Sequence, residues 1–268
     1  MKLRSSSKDT FCRPVLLLVV AVGALVGGLS PAFAIQVNTN WDFEISVQKN
    51  APTPDSASKA IVAAASVLGS VKIGSGQDLG SVDKSGYVLQ SKITGTSLLV
   101  RLFDNPTIFR QSNGRFVNGI ALSMRYSDRR GGNDELTTVT NLAEKRYEFA
   151  KGGKLNGVLP MSVAASDLAI APYAFLGKMA PRKTTFLAFS DGKSIRQVTL
   201  QPYFESVKLN GRIISAVRLV GNTSAGLFEL WVRAEDGYPI RMRAGLGASY
   251  GATLDQIAKD IPGTLVLF

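Results

Sequence analysis

The chain has 268 residues, 45% of them hydrophobic and 19% charged, the balance of a globular protein and not of a disordered one. It contains no histidine, and its single cysteine, Cys12, lies in an amino-terminal segment that has the marks of an export signal. Trimmed of that segment the product has neither His nor Cys, which excludes His-based metal sites, a Ser-His-Asp triad and a thiol nucleophile.

The amino terminus has the three parts of a secretory signal. Lys2, Arg4, Lys8 and Arg13 form a basic region, and Val15 to Leu29 is an uninterrupted apolar and glycine run. Pro31 then precedes Ala32-Phe33-Ala34, with small residues Ala32 and Ala34 where a signal peptidase recognises them. The run is shorter than the ~20 residues that span a bilayer, so no integral span is expected in the mature form. The expected organisation is a signal peptide over 1–34 and a single β-rich periplasmic domain over 35–268. Cys12 precedes the apolar run and is wrongly placed for a lipid-modified cysteine.

Removing that segment leaves 27 Lys and Arg against 19 Asp and Glu, a net charge of +8. Such an excess favours anionic partners such as lipid headgroups, lipopolysaccharide or acidic polysaccharide, or simply keeps the surface solvated. Arg212, Arg218, Arg233, Arg241 and Arg243 stand singly, with no run that would track a phosphate backbone, and nucleic acid is not expected of an exported chain.

Along the mature chain, Trp41, Phe43, Ile45 and Val47 alternate with Asp42, Glu44, Ser46 and Gln48, which predicts a half-buried strand. Pro52 and Pro54 end it, and Ala57 to Leu68, capped by Asp55 or Ser56, is expected to form a short helix. The stretch with Gly74, Gly76, Gly80 and Gly86 is expected to be a turn or flexible hairpin. Strands are then expected around Tyr87–Ile93, Ser97–Phe103 and Thr107–Gln111, with Asn113-Gly114 turning the chain into the alternating run Ile120–Tyr126. Leu136–Leu142 and Lys145–Phe149 follow. Gly152 to Pro181 breaks the rhythm with three prolines and is the likeliest internal seam, with a helical turn or two over Ser166–Leu176.

Three hairpins close the chain. Thr184–Phe189 and Ser194–Leu200 flank Asp191-Gly192; Val207–Leu209 and Arg212–Val220 flank Asn210-Gly211; Leu227–Ala234 and Tyr238–Ala244 flank Glu235-Asp236-Gly237. The expected fold is mainly β: a single strongly curved antiparallel sheet or half-barrel of about ten strands, with one or two short helices.

The closing strands Phe228-Glu-Leu-Trp-Val232 and Asp236-Gly-Tyr-Pro-Ile-Arg-Met-Arg243 resemble the signature of an exported bacterial family, domain of unknown function 3108 (DUF3108). The resemblance spans roughly Tyr87 to Ala258 and is strongest from Phe186 onward; the Ala-rich segment departs from it. It implies a periplasmic protein with a curved sheet similar to LolA-like lipoprotein carriers, and it supplies no catalytic residues.

Catalytic patterns are thin. Ser56-Ala-Ser-Lys59, Ser81-Val-Asp-Lys84 and Ser190-Asp-Gly-Lys193 each match Ser-x-x-Lys, but no supporting Ser-Asp-Asn or Lys-Thr-Gly accompanies them. The acid pairs Asp134-Glu135 and Glu235-Asp236 fall in turns, where adjacent side chains diverge. The Gly74–Gly80 stretch has the wrong spacing for a dinucleotide loop. No catalytic residue, cofactor or metal is therefore expected. Aromatic residues are the better candidates: in a half-barrel Trp41, Phe103, Trp231 and Tyr238 would line a concave apolar surface. The functional expectation is a non-enzymatic periplasmic envelope protein that binds a lipid-like or anionic envelope component. The alternatives are a structural partner of an envelope assembly acting through sheet edges, and a carboxylate-dependent hydrolase of envelope glycans.

Overall fold

From Ile35 to Ile45 the odd positions are apolar except Thr39 and the even ones polar, and the chain forms a 13-residue strand there, β1 (Ile35–Val47). The computed structural model describes residues 34–47, 69–95, 107–224, 226–245 and 252–267, all within one unit, Ala32–Phe268. After β1 come β2 (Ser70–Val82), β3 (Gly86–Gly95), β4 (Thr107–Val117), β5 (Ile120–Arg130), β6 (Leu136–Asn141), β7 (Arg146–Lys151) and β8 (Lys154–Pro160). A two-residue strand, β9 (Ser166–Asp167), and a 3-10 turn, Ala171–Tyr173, lead to β10 (Thr185–Ser190). The chain then forms β11 (Ile195–Leu209), β12 (Arg212–Thr223), β13 (Gly226–Arg233), β14 (Pro239–Gly245) and β15 (Ala252–Ala258).

These fifteen strands make one sheet in the order 8-7-6-5-4-3-2-1-15-14-13-12-11-10-9. It consists of two meanders joined where β1 pairs β15, with Trp41 opposite Ala258 and Val47 opposite Ala252. All pairs are antiparallel except β9 with β10. The mainly β, antiparallel expectation holds. The strand number does not: there are fifteen among the described residues, not about ten, and the sheet is not closed.

Two of the extra strands have clear physical origins. The glycine-rich stretch is β2 and not a turn. Its inward positions are Gly76, Asp78, Gly80 and Val82, so the apolar alternation that announces a strand is missing. Gly76 is glycine because the ring of Phe43 and the carbonyl of Lys92 would each lie 2.9 Å from a Cβ placed there. Lys154–Pro160, inside the expected seam, is β8 and ends the sheet. Elsewhere two expected strands merge: Ile195–Leu209 runs unbroken, pairing β10 through Leu200 and β12 from Gln201.

Asn113-Gly114 is not a turn either; it lies within β4 at a bulge. The turn is made five residues later by Asn118 and Gly119, both at positive φ (51° and 76°) as a tight hairpin requires. Gly114 is where the Tyr87 ring crosses, 2.6 Å from a hypothetical Cβ. The three carboxy-terminal Asx-Gly turns fall where the dipeptides predict. The expected helix at Ala57–Leu68 and the expected strand at Ser97–Phe103 lie outside the described residues.

The inward face of the sheet is covered by its own chain. Ile170, Tyr173 and Leu176, from the segment after β9, are buried in one apolar cluster with Trp41, Val82 and Leu89. Ala171, Ala174 and Ala180 pack into a second with Leu200, Leu219, Phe228 and Leu230. The far end of the sheet also meets its opposite half: the Ser123 N–H donates to the Ala165 carbonyl at 2.8 Å, and the Thr138 and Ser190 hydroxyls lie 2.8 Å apart. Thr138→Val keeps the shape of this contact and removes its hydrogen bond, so a loss of about 1 kcal/mol is expected in urea unfolding. No change would mean that the two halves meet without mutual support.

Candidate functional site on the outward face of strands β1 to β5

The aromatic residues singled out from the sequence lie in three settings. Trp41 is fully buried; its indole N–H donates to Asp78 at 2.7 Å, and its ring meets Tyr173 edge-on at 6.3 Å. Tyr238 is buried, with its hydroxyl 2.6 Å from that of Thr39. Both rings are enclosed by the chain itself. Trp231 lies on the opposite face, where its indole donates to Glu205 at 2.6 Å and the guanidiniums of Arg218, Arg241 and Arg243 lie 5.0–5.9 Å from its ring. Phe103 and Ala32 are outside the described residues, and Ala34 is exposed just ahead of β1.

The catalytic patterns do not assemble. Asp134 and Glu135 are exposed in the turn before β6, and Glu235 is exposed while its neighbour Asp236 is buried against Arg233. Ser190 is buried on Thr138, with Lys193 out in the turn. Ser56 and Lys59 are outside the described residues. Among the described residues no three His, Cys, Asp or Glu side chains are grouped to hold a metal ion.

The interior does carry a polar network. Asp78 accepts from Trp41 and from the Tyr173 hydroxyl at 2.9 Å. Burial raises its carboxyl above the ordinary aspartate range, opposed by hydrogen bonds from Ser91, Tyr173 and Trp41 and by the charge of Arg110. Asp167, raised likewise by burial, accepts from the Ser112 hydroxyl and from the N–H groups of Ala169 at 2.9 Å and Ile170 at 3.2 Å. Burial and the nearby Asp167 push the Tyr87 hydroxyl well up. These groups bind the segment after β9 to the sheet, and they are spent on that task.

A different surface is left over for a ligand. Strand register aligns three outward rows across β1 to β5. The first is Asn40, Gln77, Lys92, Phe109 and Arg129. The second is Asn38, Leu79, Gln90, Gln111 and Ser127, and the third is Gln36, Ser81, Val88, Asn113 and Arg125. With strands about 4.8 Å apart and every second residue outward, the face measures about 19 Å across the strands and about 13 Å along them. Its fifteen positions hold seven side-chain amides, three cations and no carboxylate. Among the described residues none of Lys92, Arg125 and Arg129 has an ion-pair partner; Arg129 lies 5.9 Å over the Phe109 ring. Of the carboxylates beyond the rows, Asp42 is paired with Lys72 at 2.8 Å and Glu148 with Arg146 at 2.8 Å, while Asp83 borders the third row and is held by the N–H groups of its own turn.

At one corner of this face lies a shallow cleft of about 360 Å³, lined by Ser81, Val88, Asn113, Arg115 and Met124. Asp83 on its rim accepts from the Ser85 and Gly86 N–H groups, 2.7 and 2.9 Å away, and closes the β2–β3 turn.

No family model, curated protein or solved structure matches this chain. Its functional reading therefore rests on the geometry of its own residues. The outward rows escape a strand-by-strand reading of the sequence. The alternation Gln36, Asn38, Asn40 was a visible signal, but only the register brings Gln90, Gln111 and Asn113 beside it.

Proposed function

We propose that this chain is an exported, non-enzymatic periplasmic protein of the bacterial envelope that holds an anionic envelope component on the outward face of β1 to β5. The observation that carries the reading is the presence of three cations, unpaired among the described residues, and no carboxylate across fifteen aligned positions. Fifteen neighbouring positions with three cations and no negative side chain attract a polyanion, and the +8 of the trimmed chain adds a field of the same sign. Export is supported by the tripartite amino terminus. The DUF3108-like closing strands agree with that compartment. A lipid-like ligand in a half-barrel has less support, because Ile170, Tyr173 and Leu176 are buried against the inward side of the sheet with Trp41, Val82 and Leu89.

A protein partner added at a sheet edge is the second reading. One observation favours it: β8 ends the sheet with Leu155, Val158 and Leu159 exposed by 63, 46 and 42%. Lys154, Pro160 and the bulge opposite Phe149 are devices that discourage strand addition, so this reading ranks below the first.

The test is binding to soluble polyanions at low ionic strength, using polygalacturonate and polyphosphate. Exchanging Lys92, Arg125 and Arg129 together for Gln removes about 1 kcal/mol per cation, so affinity for both polymers falls by about a hundredfold with the fold intact. Wild-type protein that binds neither polymer sinks the proposal.

A further inference from the structure

The two halves of the sheet treat their outward faces differently. On β11 to β15 the outward positions include charges that satisfy one another around Trp231. Arg243 lies 3.0 Å from Glu229 and 2.9 Å from Asp255, and Arg241 lies 2.6 Å from that same carboxylate. Solubility is served well by such mixed charge. In the three rows on β1 to β5 seven of the fifteen positions are amides, and these are mostly unengaged. One bond joins them, from Gln77 Nε2 to Asn38 Oδ1 at 3.1 Å. Among the described residues the side chains of Gln36, Asn40, Gln90, Gln111 and Asn113 have no hydrogen-bond partner. Solubility does not explain why one half of a sheet uses paired charges and the other uses free amides.

Each side-chain amide offers two donors and an acceptor with two lone pairs. A ligand made only of acceptors, such as a phosphate chain, uses the donors and finds the amide oxygens electrostatically unfavourable. Sugar hydroxyls both give and take hydrogen bonds, so they engage both ends of each amide. Leu79, Val88 and Phe109, interspersed in the same rows, supply apolar surface for the C–H faces of sugar rings. Lys92 in the middle of the first row, Arg129 at its β5 end and Arg125 at the β5 end of the third place positive charge among and beside the amides, within reach of carboxylates on the same polymer.

We infer that the β1 to β5 face recognises a hydroxyl-rich acidic polysaccharide, with the amide rows taking ring hydroxyls and Lys92, Arg125 and Arg129 taking its carboxylates. The inference rests on the anionic-ligand reading above and specifies its chemistry.

The experiment compares polygalacturonate (acidic and hydroxyl-rich), polyphosphate (acidic without hydroxyls) and dextran (hydroxyl-rich and neutral) by calorimetric titration of the full protein. Polygalacturonate is expected to bind tightest. Gln90→Ala with Gln111→Ala is expected to weaken it by about thirtyfold, the value of two hydrogen bonds of ordinary net strength, while polyphosphate, which uses the amide donors alone, loses distinctly less. Both residues are exposed, so circular dichroism and the melting temperature of the double variant should match wild type. If polyphosphate binds as tightly as polygalacturonate, or the amide variant loses nothing, the polysaccharide inference fails while anionic binding stands. If dextran binds equally well, the acidic requirement fails. If neither polyanion binds, the inference falls together with the reading beneath it.

Discussion

Asp236→Ala is expected to cost about 3–5 kcal/mol of folding stability at neutral pH, the penalty for stranding one partner of a buried ion pair. Asp236 is fully buried, and the Arg233 guanidinium grips it with bonds of 2.8 and 2.5 Å. The same carboxylate accepts the Leu265 N–H at 2.7 Å and the Tyr238 N–H at 3.1 Å. Arg233 also donates to the carbonyls of Pro262 and Gly263, so a single ion pair ties the β13–β14 turn to the carboxy-terminal tail. Removing the carboxylate leaves a nearly buried guanidinium with only the exposed Glu235 carboxylate, 3.9 Å away, as counter-charge, and releases the tail with it.

The pH dependence of this pair has a definite sign. Burial works against the Asp236 charge, but Arg233 and the two N–H groups outweigh it and hold the carboxyl below its ordinary value of 3.8. A depressed acid adds stability that is complete above the unfolded value and is lost as pH falls through the folded one. The gap between wild type and Asp236→Ala in urea melts should therefore be wide at pH 7 and narrow below pH 4. A gap that stays constant with pH would mean that lost packing, and not charge, is the cause. In a domain of this size the loss corresponds to a drop in melting temperature of roughly 10 °C.

Some of this architecture is legible in the residues and some is not, for reasons that differ from strand to strand. The hairpins at Asp191-Gly192, Asn210-Gly211 and Glu235-Gly237 are visible because turn chemistry is local and each dipeptide lies between alternating runs. β2 is invisible because its inward positions are glycine and aspartate, emptied to make room for Phe43 and backbone or turned to bond Trp41 and Tyr173. Of the two Asn-Gly dipeptides in the β4 region, local rules cannot tell which one turns. At Gly114 the Leu122 carbonyl and the Tyr87 ring, both distant in sequence, occupy the space of a Cβ. The candidate face is a property of register: Gln36 and Arg125 are 89 positions apart in sequence and lie in one row only because four successive strand pairs align them. Trp41 and Tyr238 point inward and Trp231 outward, a division that composition does not mark, because the partners of the first two, Asp78 and Thr39, are polar residues on inward positions.

Trp41→Ala is expected to cost about 3–5 kcal/mol from lost packing alone, since the indole is among the largest fully buried side chains. A further cost comes from Asp78, which loses one of its donors while remaining buried. Asp78→Asn separates the two contributions, because it keeps an acceptor for Trp41 and Tyr173 and removes the charge. Burial holds the Asp78 carboxyl above 3.8, so its contribution has the opposite sign to that of Asp236. Stability is greatest below the unfolded value and declines as pH rises through the folded one, leaving a penalty in place at neutral pH. Asp78→Asn should therefore match or exceed wild type at pH 7 and flatten the decline above pH 4. In the Asp78→Asn background Trp41→Ala should cost less than it does in wild type, by about 1 kcal/mol or more, because the acceptor it strands is neutral. Equal costs in the two backgrounds would show that the indole contributes only its volume, and the polar network under the sheet would then be incidental to holding the segment after β9 in place.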